Sequence, residues 1–341
     1  MTEEYLVTDS VDDSKWDEFA LHHPRGNIFQ TRLMYTVCRQ TKRWFPIKLF
    51  AVNRQTGDLC GVASGVVVSE LGGLLSSLSS HSIIQGGPLV LAGTESSLMP
   101  MLMSEYDRLA RKRALYSEIR NMWHTDDSLQ HLKAYHHEGH LNFLINLDRS
   151  EDQLWKLIHS GRRKNINRAH ERGLSVEEVS NRSLIPVFYD LLKETYREAG
   201  IPLADISLFE AVFETFCSKN LAKYFLAKQG DRYVGARAVL LYNGRMYDWW
   251  AGADRQYLHH YPNDILVWHI LKWGANNGYR IFDFGGAGKP DVEYGPREFK
   301  RRFGGDLVNF GREVRVFSPL RMSIARDGLN AYRRIHSPRG R

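Results

Sequence analysis

Hydrophobic and polar positions along this chain switch repeatedly between the spacing of helices and that of strands. In the first half, the pattern predicts helices near 31–42 and 96–113 and strands at 47–52, 61–68, 115–120 and 141–147. In the second half, it predicts helices at 184–199, 208–219 and 264–277 and strands at 222–228, 233–242, 245–252, 280–284 and 312–317. Such a mixture is typical of α/β and α+β domains, in which helices cover a sheet.

The second half repeats the element order of the first. Strands that begin at 47 and 61 correspond to strands at 222 and 233, which lie 175 and 172 residues further on. The long helices and the strands after them keep nearly the same offset. We therefore predict two copies of one unit, with domains at 1–150 and 151–341, each a mixed sheet flanked by helices. A basic helical segment at 151–200 opens the second domain.

The chain has 341 residues, a formal charge of +7 and a pI of about 9.2. An excess of Lys and Arg favours anionic partners such as phosphates, nucleotides, tRNA or an acidic lipid surface, although a solvated basic surface is the alternative. The basic tail 326–341 allows peripheral contact with an anionic membrane, or is simply solvated. We expect no DNA partner.

Cysteine usage and the N-terminus indicate a reducing compartment. Cys38, Cys60 and Cys217 are far apart and odd in number, which argues against a disulfide framework and a thiolate metal site. The acidic N-terminus has no basic or apolar region of the kind found in signal peptides. We expect a cytoplasmic protein.

Three histidines surround Glu138, at positions His136, His137 and His140. Their order is not the His-Glu-x-x-His of zinc peptidases, and Gly139 interrupts any helix there. We therefore expect a surface loop and no metal site.

The most informative region runs from 245 to 305. A strand at 245–252 leads through a polar and aromatic loop into an apolar helix, and a strand that delivers the chain to a helix N-terminus offers unpaired N–H groups to an anion. The next strand carries Asp283 and breaks at Gly285 and Gly286.

A basic run follows, in which Lys300, Arg301 and Arg302 stand between Phe299 and Phe303, and two glycines come next. One interpretation is a site for anions or for the oxyanion of an acyl-transfer intermediate, where the glycines let the backbone approach a ligand. The other is a solvated turn held by the two phenylalanines.

These residues resemble the C-terminal signature of the FemAB family, whose members are peptidoglycan interpeptide-bridge aminoacyltransferases. The similarity covers nearly the whole chain. It rests on Asp283-Phe284-Gly285-Gly286, Phe299-Lys300, Phe303-Gly304-Gly305, Ile28-Phe29-Gln30-Thr31, Gly86-Gly87-Pro88-Leu89, the arginine-rich stretch 162–173 and Tyr261-Pro262-Asn263-Asp264-Ile265-Leu266.

The resemblance implies two GNAT-like domains in tandem and transfer of an aminoacyl group from aminoacyl-tRNA to an amine of a peptidoglycan precursor. It implies no permanently bound cofactor and an anionic acceptor, either nucleotide-linked or lipid-linked. The glycine-rich loop that normally holds coenzyme A is missing, which argues against acyl-CoA as the donor. The segment 151–200 is also too short for the coiled-coil arm of staphylococcal members, which argues against a tRNA donor. Acyl-CoA therefore stays open as the donor of an N-acetyltransferase acting on a small amine or amino sugar. A non-catalytic binding protein with the GNAT fold is the third alternative.

The family pattern assigns Lys300 to the reacting centre, where it would stabilise the oxyanion or a substrate phosphate. Asp283 ends a buried strand and either receives a proton or caps nearby backbone N–H groups. Arg237 lies on a strand beside the expected cleft, as a diphosphate ligand or as a half-exposed sheet residue. Further candidates for binding an anionic donor or acceptor are Arg162, Arg163, Arg168 and Arg301, with a solvated helix face as the alternative for the first three.

Aromatic residues supply the remaining candidates. Strict alternation along the strand at 245–252 would place Tyr247 and Trp249 on one face and Asp248 and Trp250 on the other. One face should be core, and the other could stack on a sugar or nucleobase, which makes Trp250 a substrate-binding candidate. Tyr261, in the loop before the apolar helix, is another, together with Gly285 and Gly286.

Overall fold

The computed structural model describes residues 4–69, 79–124, 129 and 131–323, so the basic tail at 326–341 lies outside the described residues. The chain folds into two units. Unit 1 takes its described residues from Met1–Arg39, Arg43–Glu138 and Gly311–Arg341, and unit 2 takes its residues from Gln40–Lys42 and Gly139–Phe310.

Unit 1 contains a sheet in the order β1-β2-β3-β4-β6-β15-β7, with β5 paired to β3. Its strands are β1 (Tyr5–Thr8), β2 (Trp44–Asn53), β3 (Leu59–Ser69), β4 (Ser80–Gln85), β5 (Leu89–Val90), β6 (Tyr116–Arg120), β7 (His136–Glu138) and β15 (Arg312–Val316). Its helices are α1 (Asp13–His22), α2 (Arg32–Gln40) and α3 (Glu95–Ala110). The main core of this unit lies where α3 packs on β2 and β3, because α3 directs Leu98, Leu102 and Tyr106 onto the sheet.

Unit 2 contains a sheet in the order β14-β8-β13-β12-β11-β10-β9. Its strands are β8 (Leu141–Asn146), β9 (Leu174–Glu178), β10 (Ala222–Gln229), β11 (Arg232–Tyr242), β12 (Arg245–Ala253), β13 (Ile281–Gly286) and β14 (Asp306–Asn309). Its helices are α4 (Glu151–Leu157), α5 (Ser160–Glu171), α6 (Ile185–Ala199), α7 (Ile206–Phe216), α8 (Pro262–Asn276) and α9 (Gly295–Arg301).

Local sequence explains where α8 begins and why it is buried. Pro262 occupies the first turn of α8, where a missing N–H costs nothing, and the helix is apolar on nearly every side, so it is buried. Phe282 and Phe284 of β13 are fully buried beside it in one core. This packing fixes the strand-helix-strand segment that carries the candidate site.

The predicted repetition is present in the sheets. The order β1-β2-β3-β4-β6 in unit 1 matches β9-β10-β11-β12-β13 in unit 2. In both units the neighbours in this order pair antiparallel except the last two strands, which pair in parallel across a helical connection, α3 or α8.

The boundary between the units differs from the predicted division at 150. Strand β8, expected in the first domain, pairs with β13 and β14 of unit 2. Strand β15, expected in the second domain, pairs with β6 and β7 of unit 1. Unit 2 therefore begins before residue 150, and the sheet of unit 1 is completed by a strand from the C-terminal part of the chain. Local hydrophobic pattern marks a strand but does not reveal which sheet it joins.

The sequence analysis did not predict the strands β1, β4, β5, β7, β9 and β14, and two of them replace other predicted structure. The segment 136–138, expected as a loop, is strand β7, and the Nδ1 atom of His137 lies 2.6 Å from a carboxylate oxygen of Glu313 on β15. Strand β9 lies within the segment expected to be helical, where alternating Leu174 and Val176 gave a signal that the prediction overlooked.

No helix in the described ranges combines the length and the apolar character that crossing a bilayer requires.

Close packing of α6 on β12 generates a stability prediction. A Cβ atom at Gly252 would lie 2.5 Å from the carbonyl oxygen of Leu191 in α6, so Gly252→Ala must push the helix outward. We expect a loss of about 1–3 kcal/mol in the free energy of unfolding, measured by urea denaturation. Gly295→Ala is the matched control, because a Cβ atom there meets nothing within 4 Å. Equal effects of the two substitutions would contradict the close contact.

Candidate active site

The parallel pair β12 and β13 separates at the centre of unit 2. The two strands are in register from Arg245 and Ile281 to Tyr247 and Asp283, and their pairing stops there although both strands continue. In unit 1 the matching strands stay paired to their ends, and the Gly86 N–H then donates to the Arg120 carbonyl at 2.9 Å. The pairing of the parallel strands therefore ends earlier along the strands in unit 2 than in unit 1, and the place where it ends in unit 2 is called the opening below.

A bulge in β13 lies at this opening. The register between β13 and β8 shifts between Asp283 and Gly286. Gly285 has φ +72°, a left-handed conformation that an L side chain adopts only with strain, and this is why a glycine is needed there. The bulge turns the carbonyl groups of Phe284 and Gly286 toward the side chain of Lys300, which binds both.

Lys300, on α9, binds two carbonyl groups of the bulge. Its Nζ donates to the carbonyl oxygen of Phe284 and, at 2.9 Å, to that of Gly286, and it lies 5.3 Å from the Phe284 ring centroid. Burial lowers the pKa of Lys300 to about 8, against the opposing attraction of Asp248 and Asp283. The family resemblance assigned Lys300 to the reacting centre, and in the structure its Nζ binds β13 just past the point where β12 and β13 stop pairing.

Asp283 binds a backbone amide of the same bulge. Its Oδ1 accepts the Gly285 N–H at 2.8 Å and the Asn142 side-chain N–H at 3.3 Å, and the residue is only 3% exposed. Burial raises the pKa of Asp283, while the Gly285 hydrogen bond and the charge of Lys300 act in the opposite direction. The backbone contact expected for a capping role is present.

Arg237 and Asp248 form a buried ion pair between β11 and β12. The Nη1 atom of Arg237 lies 2.7 Å from each carboxylate oxygen of Asp248, and the guanidinium carbon lies 5.8 Å from the Phe284 ring centroid. Arg237 is 4% exposed, so the alternative of a half-exposed sheet residue is wrong. Its Nε is buried without a hydrogen-bond partner, which leaves one strong donor unused beside the opening.

The first turn of α8 carries a buried carboxylate and loses part of its N–H donors. Pro262 has no N–H, and the Asp264 N–H donates to the Tyr261 carbonyl at 3.1 Å. The Asp264 carboxylate, buried in the first turn, accepts from Arg162 at 3.1 and 3.3 Å and from Asn165 at 3.4 Å. Burial raises the pKa of Asp264, and Arg162 opposes this rise. The anion-binding helix start that the sequence suggested is thus filled by the protein's own ion pair.

The remaining predicted arginine ligands have separate surroundings and do not form one cluster. Arg162 lies 4.4 Å from the Phe299 ring centroid and joins the set around α8. Arg163 is half-buried, and its Nη1 lies 3.5 Å from the Trp155 carbonyl. Arg168 is exposed on α5, and Arg301 forms an exposed ion pair with Glu298 at 2.7 Å.

The predicted strict alternation of the aromatic residues on β12 is wrong at Trp249. A bulge opposite Ala238 and Val239 adds Trp249 to the strand, so that Trp249 and Trp250 both contact the ring of Phe209. Trp250 also contacts Tyr196 of α6 at 5.0 Å between ring centroids. The Nε1 atom of Trp250 is buried without a partner.

Tyr261 caps the start of α8 with φ +64° and packs against the core of unit 2. It lies 5.5 Å from the guanidinium of Arg172.

Sequence reasoning missed three side chains that shape the opening, namely Asp248, Asp264 and Tyr196. Tyr196 reaches the neighbourhood of the Arg237 ion pair, and burial followed by the charge of Asp248 raises its pKa. A carboxylate within a largely apolar strand, as at Asp248, was the one available signal, because such a residue requires a partner.

Comparisons with known proteins agree on an acyltransferase fold. A sequence model described as an acetyltransferase (GNAT) domain matches residues 160–301. The chain is 26% identical to the lipid II:glycine glycyltransferase of Staphylococcus aureus over 238 residues, which cover 64% of this chain and 54% of the relative. It therefore spans about half the length of the curated relatives it matches.

Solved structures extend the similarity to the whole fold. The crystal structure of FemX superimposes with a TM-score of 0.70 at 19% identity, covering 94% of this chain and 100% of FemX. A tandem GNAT protein from the clavulanic acid biosynthesis pathway gives a TM-score of 0.59 at 13% identity, covering 93% and 99%. The predicted pair of GNAT-like domains is confirmed by these likenesses.

The position of Lys300 generates a pH prediction. Its pKa in the folded chain, about 8, is below the ordinary 10.5, so between these values the unfolded chain binds a proton that the folded chain does not. The free energy of unfolding should therefore increase, through Lys300, as pH rises from about 8 to 10.5. Below about pH 8 this increase should be absent. Urea denaturation of the natural protein and Lys300→Met at about pH 7, 9 and 10 measures it. A difference between the two that does not change with pH contradicts the assignment.

Proposed function

We propose that this chain, a relative of the FemAB aminoacyltransferases with a tandem GNAT fold, is an N-acyltransferase whose unit 2 moves an aminoacyl group onto an amine. The observation that carries the proposal is the opening between β12 and β13 with the Lys300 ammonium at its edge. In GNAT-like folds the separation of these two strands is the place where the acyl group lies. The corresponding strands of unit 1 remain paired, which favours unit 2 as the catalytic unit.

The chemistry requires one new bond and one broken bond. A neutral amine attacks the carbonyl carbon of the donor ester and forms a tetrahedral intermediate with a negative oxygen. Collapse of the intermediate breaks the bond to the ester oxygen, which leaves with the proton lost by the amine. A hydrogen-bond donor fixed beside the carbonyl oxygen lowers the barrier to both steps.

Lys300 fits the role of that donor. An ammonium group has three N–H bonds, and the carbonyl groups of Phe284 and Gly286 take two of them. The third is left for an oxyanion at the opening. Asp283 supports this arrangement as a positioning residue, because it binds the amide of Gly285 on the other side of the same bulge.

The start of α8 favours an aminoacyl ester such as aminoacyl-tRNA over acyl-CoA. GNAT enzymes bind the pyrophosphate of coenzyme A with the N–H groups at this helix start. Here Pro262 has no N–H, the Asp264 N–H donates to the Tyr261 carbonyl, and the Asp264 carboxylate is bound to Arg162, so the first turn leaves few N–H donors for a pyrophosphate. The proposed donor also places the reaction in the cytoplasm, where aminoacyl-tRNA is made.

The acceptor we propose is the amine of a cell-wall precursor that carries an anionic carrier group, lipid-linked or nucleotide-linked. The support is the similarity to a lipid II:glycine glycyltransferase, although the chain spans only 54% of that relative. The net charge of +7 favours an anionic substrate.

Substitution of Lys300 tests the mechanism. Removal of one oxyanion donor lowers turnover by about 10²–10³-fold in enzymes of this kind, so Lys300→Ala should lose transfer activity to that extent. The measurement is transfer of a radiolabelled aminoacyl group from aminoacyl-tRNA to a lipid-linked or nucleotide-linked muropeptide. Circular dichroism and thermal unfolding check that the variant is folded, and Lys300→Arg provides a second variant that keeps the charge.

Lys193→Ala is the matched control, because Lys193 lies exposed on α6 in the same unit and pairs with Asp190 at the surface. We expect its transfer rate to stay within about twofold of the natural protein. Unchanged turnover in folded Lys300→Ala would remove Lys300 from the mechanism.

The donor is tested by a competition between two carriers. Purified protein is offered labelled aminoacyl-tRNA and labelled acetyl-CoA in parallel, with a cell extract supplying acceptors. We expect transfer from aminoacyl-tRNA alone. Transfer from acetyl-CoA alone would support an N-acetyltransferase, which is the function that the matched acetyltransferase (GNAT) sequence model favours. Transfer from neither would support a binding protein that has kept the fold.

A further inference from the structure

Two cations share one buried aromatic ring beside the opening in unit 2. The guanidinium carbon of Arg237 lies 5.8 Å from the ring centroid of Phe284, and the Nζ atom of Lys300 lies 5.3 Å from the same centroid. Phe284 and Arg237 are both buried, so water screens the repulsion between the two positive charges only weakly. A carboxylate close to both cations is needed to offset this repulsion.

Asp248 supplies such a carboxylate. The Nη1 atom of Arg237 lies 2.7 Å from each of its carboxylate oxygens, and the Asp248 side chain is 9% exposed. A Cβ atom at Gly285 would lie 3.4 Å from the carbonyl oxygen of Asp248 and 3.7 Å from the Nζ atom of Lys300. Asp248 and Lys300 thus approach the same residue of the β13 bulge.

The charge of Lys300 depends on side chains from three strands. Burial lowers the pKa of Lys300 to about 8, the negative charge of Asp248 opposes this effect, and the positive charge of Arg237 adds to it. Asp283 raises the pKa as Asp248 does, and its carboxylate also accepts the Gly285 N–H at 2.8 Å. The two members of the Arg237–Asp248 pair therefore act on Lys300 with opposite sign.

Two further titratable or charged side chains lie near this group. A Cβ atom at Gly286 would lie 2.9 Å from the Nε2 atom of His140, and Arg162 lies against the ring of Phe299 with Asp264 as its own counter-charge. An imidazole is ordinarily neutral above its pKa of about 6.5. Titration of Lys300 above that range thus reports mainly on the carboxylates and on Arg237.

The protonation state of Lys300 decides how many donors it has. A neutral amine has two N–H bonds, and an ammonium group has three. The carbonyl groups of Phe284 and Gly286 require two. Only the ammonium form therefore keeps an N–H that a developing oxyanion can use.

We propose that Asp248 is a positioning residue that keeps Lys300 in its ammonium form, and that Arg237 acts against it beside the ring of Phe284. For its effect on transfer, this role rests on the proposed function, but the charge of Lys300 is measurable without any substrate. A pair that only joined β11 to β12 would affect Lys300 in the same way whichever partner was removed. Opposite effects of the two substitutions are therefore the distinguishing result.

Titration of Lys300 by nuclear magnetic resonance measures its charge directly. The full chain is labelled with ¹³C at the Cε atoms of lysine, and the Lys300 resonance is assigned by its loss in Lys300→Met. We expect a midpoint near pH 8 in the natural protein. Asp248→Asn should move the midpoint down by about one pH unit, and Arg237→Gln should move it up by about as much.

Each single substitution leaves a buried charge without its partner, so the double variant Asp248→Asn with Arg237→Gln is also titrated. Its midpoint should lie between those of the two single variants. If one single variant does not fold, comparison of the double variant with the other still isolates one charge. Asp190→Asn is the control for net charge, because Asp190 is exposed on α6, and it should leave the midpoint unchanged. Circular dichroism and thermal unfolding check each variant.

The pH profile of aminoacyl transfer joins this charge to the proposed reaction. The rate should fall on the alkaline side of about pH 8, and this fall should move with the midpoint in each variant. Midpoints that move as expected without a matching change in transfer would uphold the role of Asp248 and remove Lys300 from the proposed reaction. Midpoints that stay fixed, or that move in one direction in both single variants, would overturn the role of Asp248.

Discussion

The ammonium group of Lys300 binds two carbonyl groups of the β13 bulge, and the opening in the sheet of unit 2 depends on this contact. Without it, the carbonyl groups of Phe284 and Gly286 would face the interior with no charged partner. Asp283 completes the arrangement by accepting the N–H of Gly285 between them. One cation and one carboxylate thus stabilise a backbone shape that leaves β12 and β13 unpaired beyond Tyr247, which is the place that the proposed function assigns to the acyl group.

Charge compensation governs the rest of the site. Arg237 is matched by Asp248 and Arg162 by Asp264, and each pair joins two different elements of unit 2. Breaking such a pair by removing one partner leaves a buried charge alone, which costs about 3–5 kcal/mol. The pairs therefore hold elements in place as much as they prepare a site. Because Arg237 and Arg162 are each paired with a carboxylate, the buried donors that the described protein leaves unused on these two side chains are their Nε atoms.

The two units share one sheet order and differ in what their parallel strands do. In unit 1, β4 and β6 stay paired through Gln85 and Arg120, and the pairing continues at Gly86. In unit 2, the glycine of the bulge and the clamp by Lys300 keep the equivalent strands apart. The same architecture thus yields a closed sheet in one unit and an open one in the other. The difference lies in a few residues at the end of one strand.

The sequence by itself determined the longer helices and strands, their order and the repetition of one unit, because these depend on local periodicity. The short strands β1, β4, β5, β7, β9 and β14 escaped it, because a few residues carry too little periodic signal. The family resemblance, and not periodicity, singled out Lys300. Tertiary structure alone decided that β8 joins the second sheet and β15 the first, since strand partners are chosen by contacts distant in sequence. It also decided that Arg237 binds Asp248 and that Asp264 fills the start of α8. An ion pair between residues 11 or 102 positions apart has no local signature, because its stability comes from burial that only the folded chain provides.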